Sequence, residues 1–158
     1  MSEHTERTTF QQIFLKIKMT SIKVAHSDLE IAALAIPKGV PIVMLNMVKF
    51  KAEADYGNHT DQEPCSGEEA YTMRYSPAFG EVVEELGLSG GVPVFVGSVH
   101  AHIVAPPDEK WDMVILVEYP SYEVFRQIVE SKQYAEKADM HRVAALENWR
   151  LIATTKMM

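Results

Sequence analysis

The sequence predicts a single α+β domain, for three reasons. Four runs of strand length are rich in apolar and β-branched residues and are bounded by Pro, Gly or polar loops. Two main helical patterns separate them in the order strand, helix, strand, strand, helix, strand. This order is typical of a ferredoxin-like split βαβ fold, a four-stranded antiparallel sheet with helices on one face. We expect the first and third strands to be central and parallel to each other. The 158 residues are enough for one core.

The chain divides into an N-terminal arm, residues 1–24, and a single domain, residues 25–158. Alternating apolar residues in the arm indicate an extra strand or a flexible tail. Ser27 to Glu30 form a capping-box pattern that predicts a short helix, closed by Pro37 and Gly39. The run IVMLNMVKF, residues 42–50, predicts the first strand. The polar residues 51–67 predict a long loop.

The first main helix is predicted to begin with a second capping box, Ser66 to Glu69, and to end near residue 86. Pro77 should kink or divide it. Residues 92–104 alternate like a second strand with a bulge at Gly97. Residues 111–119 predict the third strand, Pro120 precedes a second main helix, and further helical turns over residues 134–146 lead to a last strand at 149–154.

Alternation along the strands assigns side chains to the two faces of the sheet. The face predicted to pack on the helices contains Val43, Leu45, Met47, Phe95, Val99, Ile103, Met113, Ile115, Val117, Leu151 and Ala153. The other face contains Met44, Asn46, Val48, Val94, Val96, Ser98, His100, His102, Val114, Leu116, Glu118, Arg150, Ile152 and Thr154. Because this second face is also mostly apolar, we expect it to pack on a second copy and form a dimeric α+β barrel around a small cavity. A one-residue error in register would reverse the assignment.

Composition excludes several classes of function. A net charge of -7, a pI near 5.3 and no basic cluster argue against nucleic acid and membrane surfaces as partners. The single cysteine, Cys65, cannot form an intrachain disulfide, so we expect a cytoplasmic protein. The N-terminal apolar stretch, interrupted by Lys16 and Lys18, resembles neither a signal peptide nor a membrane span. The chain has no glycine-rich phosphate loop, nucleophile elbow or paired-cysteine motif, so no cofactor is predicted.

Glu118 is the candidate for chemistry, because it ends an apolar strand just before a Pro-Ser pair. A carboxylate shielded from water can act as a general acid or base. The structural alternatives are an ion pair with Arg142 or Arg150, or a charge at the N-terminus of the helix that begins near Ser121. Asn46 interrupts the central strand, where its amide needs either a ligand or a neighbour as hydrogen-bond partner.

The other candidate ligand-binding residues surround the same predicted cavity. Tyr71 and Tyr75 share a helix face and are core or pocket wall, whereas Ser98 and His100 lie along the second strand. Arg142 and Arg150 can pair with a carboxylate of ligand or protein. His100 and His102 project from one strand face and could supply two imidazoles to a metal or one to a haem iron. Because a tetrahedral site requires more ligands than this pair, no metal is predicted.

Four segments together resemble an uncharacterised bacterial family. They are PIVMLNMVKF, CSGEEAYTMRYS, WDMVILVEYPSYEVF, and Tyr134 with HRVAALENWRLIATT. These are similar to the domain-of-unknown-function family numbered thirteen-thirty, in the dimeric α+β barrel superfamily, over residues 40–155. The resemblance implies the fold and a homodimer; the superfamily includes cofactor-free monooxygenases, muconolactone isomerase-like enzymes and haem-binding members.

Two functions follow as hypotheses. The first is a homodimer that binds a small apolar organic molecule in its barrel, with Glu118 serving a cofactor-free isomerase, cyclase or monooxygenase-like reaction. The second is a non-catalytic stress-related or interaction module, in which the same face is only a dimer interface.

Overall fold

A computed structural model describes residues 22–157, so the predicted arm, residues 1–24, lies almost wholly outside the described part. The helices are α1 (His26–Ala33), α2 (Gly67–Glu69), α3 (Ser76–Glu85), α4 (Tyr122–Val129), α5 (Lys132–Lys137) and α6 (Asp139–Ala145). A π-helical stretch, Ala70–Tyr75, joins α2 to α3 and is called the π segment below. The strands are β1 (Ile42–Phe50), β2 (Val92–Ser98), β3 (Met113–Tyr119) and β4 (Leu146–Thr154).

The four strands form one antiparallel sheet in the order β2-β3-β1-β4. β1 and β3 are central, as predicted, but they are antiparallel and the expectation of parallel strands is wrong. The reason lies in the connections. The helical segment after β1 returns the chain so that β2 runs in the same direction as β1, and the next connection reverses it into β3.

The predicted faces are correct for β3 and β4 but wrong for β1 and for most of β2. Directly paired residues share a face, and Asn46 pairs with Ile115 on one side and Leu151 on the other. The face that packs on the helices therefore carries Ile42, Met44, Asn46, Val48, Val96, Ser98, Met113, Ile115, Val117, Tyr119, Leu151 and Ala153. The opposite face, called the open face below, carries Val43, Leu45, Met47, Phe95, Val114, Leu116, Glu118, Arg150, Ile152 and Thr154.

Three predicted boundaries also need correction. α1 begins at His26 after Ala25, with no side-chain cap, so the predicted capping box at Ser27 is wrong. β2 stops at Ser98, six residues before the predicted end at 104, and its irregularity lies between Pro93 and Phe95 instead of at Gly97. β4 begins at Leu146, three residues before the predicted start at 149.

The capping box at Ser66 is confirmed, since the Ser66 hydroxyl accepts from the Glu69 N–H and the Glu69 carboxylate accepts from the Ser66 N–H. The helix then widens into the π segment before Pro77. A proline ring clashes with the carbonyl four residues earlier, and the wider turn lets the Ser76 N–H bond to Tyr71 O instead. Pro77 is thus accommodated by a π bulge, a feature frequent at functional sites.

The core on the helix side of the sheet consists of two clusters. One lies under α1, α3, α4 and α5 and contains Ile42, Met44, Val82, Phe125 and Ile128. The other lies under the π segment and α6 and contains Val48, Ala70, Tyr71, Ile115 and Leu146. None of the open-face residues Leu45, Met47 and Leu116 belongs to either cluster.

Two glycines of the first main helix predict opposite effects of the same substitution. A Cβ at Gly67 would lie 2.5 Å from Ala145 O and closer still to Lys51 O, both of them backbone atoms, whereas a Cβ at Gly80 would meet nothing within 4 Å. We expect Gly67→Ala to lower the free energy of unfolding by about 1–3 kcal/mol. Gly80→Ala should raise it by about 0.5–1 kcal/mol, because alanine is the better helix former. Urea denaturation checks both, and equal effects would contradict the close approach at Gly67.

Candidate functional site

A pocket of about 400 Å³ lies between the first main helix and the β2–β3 side of the sheet. Its lining comes from the π segment, α3, the start of β2 and the helix-facing side of β1 and β3. The lining residues are Asn46, Tyr71, Thr72, Tyr75, Ser76, Phe79, Gly80, Gly91, Pro93, Val96, Met113, Ile115, Val117 and Tyr119. None of these side chains is charged. We call this space the helix–sheet pocket.

Aromatic rings form the helix side of the helix–sheet pocket. The ring centroids of Tyr71 and Tyr75 are 5.0 Å apart, and those of Tyr75 and Phe79 are 6.0 Å apart. Phe79 in turn meets Tyr134 of α5 edge to face at 6.2 Å. The spacing along the π segment and α3 therefore gives the pocket a continuous aromatic wall that is held from behind by α5.

Asn46 is the polar group on the sheet side. It is buried, and its Oδ1 accepts a hydrogen bond from the Trp149 indole N–H at 3.0 Å. An indole nitrogen can only donate, so this contact fixes which end of the amide faces Trp149. Nδ2 is left with one contact, to Met44 O at 3.3 Å. Because Nδ2 carries two hydrogens, one donor of Asn46 has no partner among the described residues.

Arg142 lies behind the aromatic wall and is only 1% exposed. Its guanidinium binds Asp139 Oδ1 at 2.5 Å, donates from Nε to the Tyr134 hydroxyl at 3.1 Å, and also donates to Ile22 O. Its other side stacks on the Trp149 ring at 4.5 Å. Burial acts to lower the pKa of Arg142, but Tyr134 and Asp139 raise it overall, so the guanidinium stays charged.

The tyrosines of the helix–sheet pocket are neutral. Burial raises the pKa of Tyr71, Tyr75 and Tyr119 above the ordinary value of 10.0. Tyr75 Oη lies 3.4 Å from Tyr134 Oη. By contrast, the hydroxyls of Tyr71 and Tyr119 have no hydrogen-bond partner within residues 22–157, although both residues are more than nine-tenths buried. These two hydroxyls are free to bind a molecule in the pocket.

The structure brings three of the predicted ligand-binding residues together: Asn46, Tyr71 and Tyr75 all line the helix–sheet pocket. Arg142 does not line it, but it contacts Tyr134, the neighbour of Tyr75. Ser98 ends β2 and is exposed, and it does not line this pocket. The three residues meet under the helices and not in the predicted inter-subunit cavity, because β1 faces the other way.

Glu118 and Arg150 lie on the open face, away from the helix–sheet pocket. Glu118 pairs with Lys156 at 2.6 Å, and not with Arg142 or Arg150 as the structural alternative proposed. Arg150 is exposed; it stacks on the Trp111 ring at 5.2 Å and donates to Asn148 Oδ1. Glu118 also borders a separate cleft of about 500 Å³ between the loop before β1 and the chain after β4. An exposed ion pair of this kind contributes about 0–1 kcal/mol.

The two histidines of the predicted second strand lie in the irregular chain beyond β2. His100 is exposed, and His102 Nε2 accepts a hydrogen bond from the Trp111 backbone N–H at 3.0 Å. Between residues 22 and 157, no cluster of three or more His, Cys, Asp or Glu side chains could hold a metal ion. In the same range, every helix is too short or too polar to cross a bilayer.

Sequence reasoning missed Tyr119 and Trp149 as parts of the site. Tyr119 carries a usable signal, because it has the same parity as Ile115 and Val117 and so belongs to the helix-facing side of β3. Trp149 carries none. Its role depends on the stacked Arg142 and on Asn46, which is 103 positions away in the chain.

Comparisons with known proteins agree with this fold. No protein-family model matches the chain, and no curated protein matches it, so the numbered family of the resemblance stays a prediction. The crystal structure of methylated RPA0582 protein is 33% identical with a TM-score of 0.73, and the match covers 89% of this chain and 97% of that one. A second crystal structure, of the RPA0582 protein of unknown function from Rhodopseudomonas palustris, is 32% identical with a TM-score of 0.71, covering 88% and 98%.

The contacts of Arg142 predict that a conservative substitution destabilises the protein. Lysine has one compact ammonium in place of the planar guanidinium, so it cannot reach Asp139, Tyr134 and Ile22 O while stacking on Trp149. We expect Arg142→Lys to lower the free energy of unfolding by roughly 1–3 kcal/mol. Arg150→Lys is the matched control and should change it by less than about 0.5 kcal/mol. If urea denaturation gave similar changes in the free energy of unfolding for both variants, this role of Arg142 would be contradicted.

Proposed function

This chain belongs to the family of the RPA0582 protein of unknown function, and we propose that it binds a small, mostly apolar organic molecule in the helix–sheet pocket. The proposal rests on the lining and the volume of the helix–sheet pocket taken together. A pocket of about 400 Å³ falls in the range of small-molecule sites, which are mainly apolar with a few placed polar groups. Here the polar side chains are Asn46, Tyr71, Thr72, Tyr75, Ser76 and Tyr119.

The unused hydrogen-bonding capacity of the pocket favours a ligand over a packing defect. Tyr71 and Tyr119 are mostly buried as residues, but their hydroxyl oxygens are not among the described polar atoms that are both buried and unpartnered, so water in the pocket reaches them. A ligand that accepts or donates a hydrogen bond could take the place of this water.

We further propose that two copies associate through the open face and give a ferredoxin-like dimeric α+β barrel. The strand order and the antiparallel sheet support this arrangement. The centre of the open face is apolar, with Leu45 and Met47 on β1 and Val114 and Leu116 on β3. Glu118, Arg150 and Thr154 lie nearer its margins. An apolar centre with a polar rim is the usual anatomy of a protein interface.

Catalysis by Glu118 is the narrower hypothesis, and the geometry supports it less well than binding. No carboxylate, imidazole or amine lines the helix–sheet pocket, so acid–base chemistry by Glu118 would have to occur on the open face or in the cleft beside it. The non-catalytic interaction module is the alternative function, in which the open face alone is used. The two sides of the sheet can be tested separately.

The binding proposal predicts that filling the helix–sheet pocket removes binding without unfolding the protein. Gly80 lines the pocket and has open space around its Cβ position, so Gly80→Leu should add a side chain at the pocket and keep the helix. We expect saturable binding of the neutral fluorescent probe N-phenyl-1-naphthylamine to the natural protein and a loss of at least about tenfold in affinity for Gly80→Leu. Native mass spectrometry of freshly purified protein should show a retained small molecule in the natural protein only.

Glu118→Gln provides the comparison on the opposite face. We expect this variant to bind the probe with the affinity of the natural protein. Its free energy of unfolding should change by no more than about 1 kcal/mol, because the ion pair with Lys156 is exposed. Loss of binding in Glu118→Gln with retention in Gly80→Leu would move the site to the open face. Failure of the natural protein to bind the probe or to retain any molecule would contradict the binding proposal.

The dimer proposal predicts that a charge at the centre of the open face prevents association. Leu116→Asp would bury an unpaired carboxylate between the two sheets, at a cost of several kcal/mol. We expect sedimentation velocity to show a dimer for the natural protein and a monomer or aggregate for Leu116→Asp. Leu34→Asp, at an exposed position of the chain after α1, should remain dimeric. A natural protein that sediments as a monomer would refute the dimer.

A further inference from the structure

We propose that the ligand of the helix–sheet pocket is an uncharged carbonyl compound, such as a ketone, lactone or quinone, whose oxygen accepts a hydrogen bond from the Tyr75 hydroxyl. The inference rests on the proposed binding function and names the chemical class of the molecule bound. It follows from the direction of the hydrogen bonds behind the pocket, which runs from Arg142 through Tyr134 to Tyr75.

The guanidinium of Arg142 determines the direction of the first hydrogen bond. Arginine has donors and no acceptor, so Arg142 Nε must donate to Tyr134 Oη across their 3.1 Å contact. One lone pair of the Tyr134 oxygen is used in this bond. The Tyr134 proton has to point elsewhere, and the oxygen of Tyr75 at 3.4 Å is the acceptor that the described residues offer it.

The direction of the second hydrogen bond leaves the hydroxyl hydrogen of Tyr75 without a partner. When Tyr134 donates to Tyr75, the Tyr75 hydroxyl acts as acceptor on that side and keeps its own O–H for another partner. The described residues provide no other partner for it, and Tyr75 lines the pocket. A chain that begins at a cation polarises each successive hydroxyl, which makes the last O–H a stronger donor.

Among the other polar groups of the lining, Thr72 and Ser76 already donate their hydroxyl protons to backbone carbonyl oxygens, and the free donors belong to Asn46, Tyr71 and Tyr119. Asn46 has its carbonyl oxygen occupied by Trp149, so it presents an N–H and not an oxygen. Tyr71 and Tyr119 add hydroxyls whose protons have no partner within residues 22–157. A molecule with carbonyl oxygens and an apolar, planar body matches both the donors and the aromatic wall.

The charge of the ligand follows from the absence of ions in the lining. The Arg142 charge is already paired with Asp139 and shielded from the pocket by Tyr134. No charged side chain lines the pocket, and an unpaired ionised ligand would lose its hydration there. An uncharged carbonyl compound is therefore favoured over a carboxylate of the same shape.

The test compares three naphthalene probes of similar shape. They are 2-acetonaphthone, which has a ketone, 2-ethylnaphthalene, which has none, and 2-naphthoate, which is charged. We expect the natural protein to bind the ketone about threefold to tenfold more tightly than the hydrocarbon, the range of one net hydrogen bond. The C=O stretch of the bound ketone should move to lower wavenumber than in an apolar solvent.

Tyr75→Phe removes the hydroxyl and keeps the ring. We expect it to abolish the preference for the ketone and to return the C=O stretch toward its apolar value, while the hydrocarbon binds as before. Tyr122→Phe is the control, because its hydroxyl donates to Leu29 O outside the pocket. Tyr71→Phe provides a second hydroxyl variant if Tyr75→Phe does not fold.

Each other result is decisive. Equal binding of ketone and hydrocarbon, or an unchanged preference in Tyr75→Phe, would overturn the carbonyl inference and leave the pocket as a binding site. Tighter binding of 2-naphthoate would overturn it in favour of an anion. If no probe binds, the proposed binding function itself fails.

Discussion

The buried guanidinium of Arg142 is the constraint on which this side of the protein depends. An almost fully buried charge is tolerated only when its hydrogen bonds are made and a counter-ion is present. Asp139 supplies the counter-ion, and Tyr134, Ile22 O and the Trp149 ring take the remaining contacts. These partners belong to α5, α6, β4 and the chain that enters the domain, so one side chain fixes the relative positions of four segments.

The same constraint determines the polarity of the helix–sheet pocket. Trp149, held by the stacked Arg142, turns the amide of Asn46 so that its nitrogen is the free end. Tyr134, held by the Nε of Arg142, lies 3.4 Å from the Tyr75 oxygen, and in the proposed arrangement it donates a hydrogen bond to Tyr75. The cation thus acts on the pocket from outside it, through two hydrogen-bonded neighbours. A pocket that contains no charge can in this way still be selective for one end of a ligand dipole.

Features that depend on local chemistry could be predicted from the sequence. The capping box at Ser66 needs only two side chains three positions apart, and β1 lies between a proline and a polar loop, so both agree with the structure. The faces of β1 could not be predicted in the same way. Both parities of IVMLNMVKF are apolar, and Ile42, Val43 and Met44 are all buried. Without alternation in burial, the period-2 signal that assigns a face is lost.

The end of β2 shows a different limit. Residues 99–104 are rich in the residues that strands favour. The Val99 N–H still donates to Asp112 O, but residues 100–104 have no strand partner, because β3 begins at Met113 opposite Ser98. Strand propensity has no effect without a neighbouring strand to complete the hydrogen bonds. Asn46 shows a similar limit for the candidate site. Its amide was recognised as needing a partner, but that partner is Trp149, more than a hundred residues later, and no pattern in the sequence connects the two.

The charge at the end of β3 can now be explained by the two sides of the sheet. Glu118 faces away from the helices and reaches Lys156 just after β4, where water can solvate both groups. The next residue, Tyr119, faces the helices and contributes a neutral hydroxyl to the pocket. Alternation along one strand therefore places ionised groups on the open face and uncharged donors under the helices. The proposed ligand site needs this separation, because a carboxylate on the pocket side would compete with a ligand for the donors of Asn46, Tyr71 and Tyr75.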